Sequence, residues 1–231
     1  ESGTRSAALR RDLARHVASA VLLGALGGTA LAASGLADPA PAFLGVVGVG
    51  LAGGAALLLG LHGPLCLAHP HAAFGAANRV TLLRATLVVL LAGLAAVPGR
   101  EAVAWFAVVL ATLAASLDAV DGKLARRQGL ASRYGARFDM ETDALLILVL
   151  ATLAWRWDRA GAWVLASGLL RYLFVLGGRA WPWLAAGLGP SRRRQATCVV
   201  QVVGLIAVLA PWWPDGVATA LAAGAPAALC Y

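Results

Sequence analysis

Residues 102–155 read AVAWFAVVLATLAASLDAVDGKLARRQGLASRYGARFDMETDALLILVLATLAW. Two apolar segments, 102–122 and 138–155, flank a short basic turn. Each approaches the ~20 residues that cross ~30 Å of hydrocarbon at ~1.5 Å per residue. Both are rich in Ala and Leu and lack a polar alternation, which suits spanning helices better than strands of a membrane barrel. A short turn makes the two helices antiparallel neighbours.

Working outward, charge clusters and Pro or Gly turns separate six further apolar runs, 17–35, 41–61, 79–97, 160–177, 195–211 and 215–231. Eight spans in all predict an all-α, polytopic membrane helix bundle. The composition agrees, with 60% hydrophobic and only 13% charged residues where soluble domains carry about a quarter charged. Mean hydropathy is +0.77. The chain starts without Met and stops inside an apolar run at Tyr231, which reads as a piece of a longer sequence.

The net charge of +8 does not point to nucleic acid, because the arginines sit between apolar runs and form no separate basic domain. They cluster on alternate turns: Arg5, Arg10, Arg11 and Arg15, then Arg79, then Lys123 to Arg137, then Arg179 with Arg192, Arg193 and Arg194. The positive-inside rule makes that face cytoplasmic, in a multi-pass protein of the cell inner membrane, and puts Trp155, Trp157, Trp212 and Trp213 at the outer interface. The glycines of Gly45 to Gly54 permit close helix contact in lipid. Gly63 to Ala77 reads as a cytoplasmic connector. Cys66, Cys198 and Cys230 form no CxxC pair, and neither a disulfide framework nor a zinc site is indicated.

Five of the eleven acidic residues fall between Asp118 and Asp143, at the cytoplasmic ends of two apolar helices. A solvated loop balanced by arginines would be the bland explanation, but the spacing argues against it. Asp118 and Asp121 are about 60° apart around one helix, and Asp139 and Asp143 about 40° apart around the next. Two pairs on neighbouring antiparallel helices can converge on one point. Four carboxylates would repel one another unless cations were bound, and all-oxygen ligation favours Mg²⁺ or Mn²⁺. Glu141 lies about 160° to 200° around the helix from its aspartate neighbours and is expected at the surface. Gly122 would let a bulky ligand approach the backbone, Gly135 could do the same opposite, and Arg126 offers a fork suited to phosphate oxygens.

The stretch Asp118 to Asp143, DAVDGKLARRQGLASRYGARFDMETD, resembles the signature of CDP-alcohol phosphotransferases, Asp-x2-Asp-Gly-x2-Ala-Arg-x8-Gly-x3-Asp-x3-Asp, with every fixed position present. Asn78-Arg79-Val80-Thr81-Leu82-Leu83-Arg84 is similar to the Asn-x2-Thr-x2-Arg opening of that family's first core helix. The resemblance covers residues 78–231 as a six-helix catalytic core. Residues 1–77 are then two extra transmembrane helices and the connector, outside the common pattern.

The resemblance implies metal-dependent transfer of a phosphatidyl group from CDP-diacylglycerol to a small alcohol acceptor, with release of CMP, in phospholipid biosynthesis. It implies that Asp118, Asp121, Asp139 and Asp143 hold Mg²⁺ or Mn²⁺, as two ions, and that Asp143 is also the general base. Asn78, Thr81, Gly122, Ala125, Arg126 and Gly135 would bind the donor. Homodimers are common in that family, so the resemblance allows a homodimer, while the two extra helices could alter that interface and leave the assembly open. An arginine inside the sixth span, Arg171, is expensive in lipid and is expected to face a polar cavity where the acceptor binds, the rival being helix-end snorkelling. Arg192, Arg193 and Arg194 are candidate acceptor residues or plain membrane anchors. These arginines tilt the acceptor toward a phosphorylated polyol such as glycerol phosphate or inositol phosphate; another phosphatidyl lipid or serine stays open. The competing class is a membrane ion or metal transporter lined by the carboxylates, which would not need Gly122, Ala125, Arg126 and Gly135 at fixed offsets from the acids.

Overall fold

Where the chain has long apolar runs it is helical, because in hydrocarbon a helix satisfies every backbone polar group within one segment. A computed structural model describes residues 2–60, 73–128, 132–181 and 192–227. Eight α-helices lie among them: α1 (Ser2–Ala33), α2 (Ala40–Gly60), α3 (Ala76–Gly93), α4 (Glu101–Gln128), α5 (Arg133–Arg156), α6 (Leu165–Ala180), α7 (Arg192–Leu209) and α8 (Asp215–Ala227). Short 3-10 turns, Leu94–Ala96 and Ala162–Val164, follow α3 and precede α6. No strand occurs among the described residues. The all-helical, polytopic class expected from the sequence is the one found.

Among the described residues, four segments are long and apolar enough to cross a membrane, Ser6–Ala33, Ala40–Gly60, Ala76–Ala96 and Glu101–Asp118. The other helices are shorter in their apolar part. Asp139, Glu141 and Asp143 stand in the first half of α5, and α7 begins in arginines. Two boundaries differ from the sequence expectation. The arginines placed ahead of the first span lie on α1 itself, whose 32 residues extend to about 48 Å, longer than the hydrocarbon needs. Likewise α4 runs on to Gln128, so most of the expected basic turn is helix. Charge alone does not end a helix, and no proline interrupts either stretch.

The chain divides into two compact units, residues 1–98 with 110–143, and residues 99–109 with 144–231. In the first, α1, α2 and α3 pack against one another. A Cβ on Gly93 would come within 2.7 Å of Phe43 and Val47, and one on Gly50 within 2.8 Å of Val89. The other glycines of the Gly45 to Gly54 stretch, Gly45, Gly48, Gly53 and Gly54, face open space, so the close contact expected there is made by Gly50 alone. A second cluster joins Leu9, Leu13 and Val17 of α1 to Phe74 and Leu82, with Tyr134 and Phe138 of α5 packed against it.

In the second unit, a Cβ at Gly168 of α6 would approach the Leu148 backbone of α5 to 2.6 Å. Gln201 of α7 donates to the Ser167 carbonyl at 3.3 Å. Trp105, Trp212 and Trp213 form edge-to-face pairs with centroids 5.3 and 6.0 Å apart. Trp155, Trp212 and Trp213 are exposed, as aromatic rings at a membrane surface are.

Candidate metal centre

Three helices of the first unit deliver the charged groups of the site. Asp118 comes from α4, Asp139 and Asp143 from one face of α5, and Arg84 from the middle of α3. One oxygen from each of the three carboxylates lies within 4.8 Å of the others, so the convergence expected from the 3- and 4-residue spacings is present for these three. They are partly exposed, with side chains 42%, 38% and 28% accessible for Asp118, Asp139 and Asp143, whereas Arg84 is 1% accessible. The acids are open on one side, and the buried arginine closes the cluster on the other.

Arg84 binds all three. Its Nη1 lies 2.9 Å from Asp118 Oδ1 and 2.5 Å from Asp139 Oδ1, its Nη2 pairs with Asp143 Oδ1, and its Nε donates to the Ala114 carbonyl at 3.1 Å. A buried guanidinium is tolerated only with such partners, because its uncompensated burial would cost several kcal/mol. Sequence reasoning gave Arg84 a place in a motif but no role. The signal was available: Arg84 stands between Leu83 and Ala85 in an apolar run, and the cost of an arginine in lipid, already applied to Arg171, applies here with more force.

Three carboxylates against one guanidinium leave a formal excess of two negative charges. A single divalent cation balances that excess, and an all-carboxylate donor set matches hard ions such as Mg²⁺ and Mn²⁺. The residues therefore fit a divalent metal. Asp121 lies on α4 one turn beyond Asp118, but its side chain is outside the described set, as are those of Ala125 and Arg126; of Gly122 only its place in α4 is described. Glu141 is not in the cluster.

On α3, Asn78 is buried and donates from Nδ2 to the Phe74 carbonyl at 2.5 Å. Its Oδ1 lies 2.7 Å from where a Cβ on Gly135 would stand, so Gly135 admits Asn78 against the start of α5 and any larger residue would push it away. The Thr81 hydroxyl donates to the Ala77 carbonyl at 3.2 Å. Asn78 and Gly135, far apart in sequence, are thus adjacent. Burial pushes the Tyr134 hydroxyl up to about 12, so this phenol, one residue before Gly135, stays neutral at ordinary pH.

Arg171 is half-buried on α6, in the second unit. Arg192, Arg193 and Arg194 open α7, with side chains outside the described set. The part of the connector at 63–72, including Cys66, and Cys230 also lie outside the described residues.

All-helical architecture, spanning helices and a carboxylate cluster suited to divalent ions together define a polytopic membrane protein with a metal-type site among α3, α4 and α5. The chain belongs to the CDP-alcohol phosphatidyltransferase family, which it matches over residues 74–229. Membership carries transferase activity, the movement of a phosphatidyl group from a CDP-linked donor, in a family that depends on divalent metal. Comparison with curated proteins and with solved structures returns no match.

Proposed function

We propose that this protein transfers the phosphatidyl group of CDP-diacylglycerol to a phosphorylated polyol, releasing CMP, at the cytoplasmic face of the inner membrane. The observation that supports this most is the convergence of Asp118, Asp139 and Asp143 on Arg84 inside the stretch that matches the family. Asp118, Asp121, Asp139 and Asp143 would hold Mg²⁺ or Mn²⁺, which when bound offsets the charge of the diphosphate and of the phosphorus under attack.

The chain's own residues supply the rest. The Asp143 carboxylate takes the proton from the acceptor hydroxyl, whose oxygen forms a bond to the β-phosphorus of the donor. The bond from that phosphorus to the bridging oxygen breaks, and CMP leaves with the electron pair. Arg126 forks onto phosphate oxygens, and Gly122, Ala125, Gly135, Asn78 and Thr81 shape the cytidine diphosphate pocket. Arg84 keeps the three carboxylates from springing apart before the donor arrives, so the site is preorganised.

On the acceptor side, Arg171 with Arg192, Arg193 and Arg194 favours an anion, hence glycerol phosphate or inositol phosphate over serine. The arginine-rich helix ends support the cytoplasmic placement. The test is an acceptor screen: purified protein with CDP-diacylglycerol, Mn²⁺ and each candidate alcohol, with mass analysis of the lipid product. A phosphatidyl polyol phosphate is expected, and a product formed from serine alone would refute the acceptor reading.

A further inference from the structure

We propose that α1 is a strut for the donor end of the site and that Asp12 is its positioning residue, an inference resting on the donor role proposed for Asn78. The helix precedes the stretch that matches the family and packs against α3 within it, and at Phe74 a hydrogen bond joins the two as well. Asp12 Oδ2 accepts a hydrogen bond from the Phe74 N–H at 2.8 Å, across 62 residues of chain. The Phe74 carbonyl in turn accepts from Asn78 Nδ2 at 2.5 Å. Both backbone groups of Phe74 are therefore engaged, one by α1 and one by the residue that abuts Gly135.

The ring of Phe74 makes a second set of ties. It is fully buried among Leu9, Leu13, Val17 and Leu82. His16 stacks on it at a centroid distance of 6.2 Å, and Tyr134 and Phe138 each lie 6.4 Å away. Phe138 is the residue before Asp139, so the cytoplasmic end of α1 bears on both Asn78 and the first turns of α5.

A helix that served only as a membrane anchor would need its apolar run and its arginines, not a carboxylate aimed at a distant backbone N–H. The local backbone explains why one is needed. Gly75 sits at φ 85°, a conformation L residues rarely adopt, and it separates Phe74 from the α3 ladder. A helical N–H bonds to the carbonyl four residues earlier, so that of Phe74, ahead of α3, has no acceptor in that helix, and Asp12 supplies one. Arg15 and His16, 3.3 and 3.4 Å from Asp12 Oδ1, are the ionisable groups beside it.

The test uses the full chain in detergent micelles and two readouts, the Kd for CDP-diacylglycerol in the presence of Mn²⁺ and the Kd for Mn²⁺ itself by electron paramagnetic resonance. Asp12→Ala is expected to weaken CDP-diacylglycerol binding about fivefold, the size of one lost hydrogen bond, with Mn²⁺ affinity within about twofold of wild type. Asp12→Asn should restore donor binding, since its amide oxygen accepts the same bond. Adding Asp12→Ala to Asn78→Ala should cost less than about twofold more, because the two act in one chain of contacts. Should Asp12→Ala fail to fold, Asp12→Glu keeps the charge, displaces the acceptor by one methylene and is expected to weaken donor binding at least about twofold.

Unchanged donor binding in Asp12→Ala or in Asp12→Glu, an Asp12→Asn variant no better than Asp12→Ala, or a parallel loss of Mn²⁺ affinity would each overturn the strut. If Asn78→Ala leaves donor binding unchanged, the donor role of Asn78 fails and this route fails with it. Weakened binding in Asn78→Ala beside normal binding in Asp12→Ala would refute the strut alone.

Discussion

Replacing Arg84 with Gln removes the only described cation inside the carboxylate cluster while keeping a polar side chain of similar length. The guanidinium is 1% accessible and pairs with three acids. Breaking a fully buried pair costs about 3 to 5 kcal/mol, and the partial exposure of the acids puts this case at the lower end, about 3 kcal/mol. At about 2 to 4 °C per kcal/mol for a chain of this size, the metal-free variant should melt about 6 to 12 °C below wild type. Mn²⁺ at about a hundred times its Kd adds about 2.7 kcal/mol to a protein that binds it only when folded.

The variant should gain more than wild type does, because its cluster has lost a positive charge whose repulsion of a nearby cation is on the order of a few kcal/mol at an effective dielectric constant of about 20. Thermal melting followed by tryptophan fluorescence, first in EDTA and then across a Mn²⁺ titration, reads both effects. The gap between the two proteins should narrow to below about 4 °C with saturating Mn²⁺. Equal melting in EDTA, or a gap that Mn²⁺ leaves unchanged, would refute the view of Arg84 as the counter-cation of a metal site.

Changing Asp118, Asp121 or Asp139 to Asn should weaken Mn²⁺ binding at least about tenfold with folding retained, since each carboxylate removed weakens the field that holds the ion; titration followed by paramagnetic resonance measures it. Gly135→Ala should displace Asn78, whose Oδ1 would meet the new Cβ at 2.7 Å, costing about 1 to 3 kcal/mol in stability and weakening CDP-diacylglycerol binding more than Mn²⁺ binding. Arg171→Ala should raise the KM for the acceptor more than that for the donor, and Arg126→Ala the reverse; steady-state kinetics with each substrate varied in turn distinguishes them.

The helices were legible because each apolar run approaches the length that crosses a bilayer, and the acid spacings placed Asp118, Asp139 and Asp143 on faces that do converge. What the sequence hid follows from physics that is not local. The continuation of α4 through Lys123 to Gln128 was hidden because charge was taken to mark a turn, whereas Lys, Arg and Gln are good helix formers and no proline stops the run. The place of Arg84 depends on four partners 30 or more residues away. The tie from Asp12 to Phe74 spans 62 residues and has no signature in either segment. Gly45 to Gly54 shows the converse: glycines suggest close packing, but only the face turned to a neighbouring helix, here at Gly50, makes it.

The central claim is that this carboxylate cluster carries out metal-dependent phosphatidyl transfer, and CMP release from CDP-diacylglycerol tests it most directly. Purified wild-type protein should release CMP only when both a divalent cation and an alcohol acceptor are present, and Asp143→Asn should lower the rate at least about 100-fold, as loss of a positioned base does, while still binding the donor. Equal CMP release in EDTA, or by Asp143→Asn, would contradict the account.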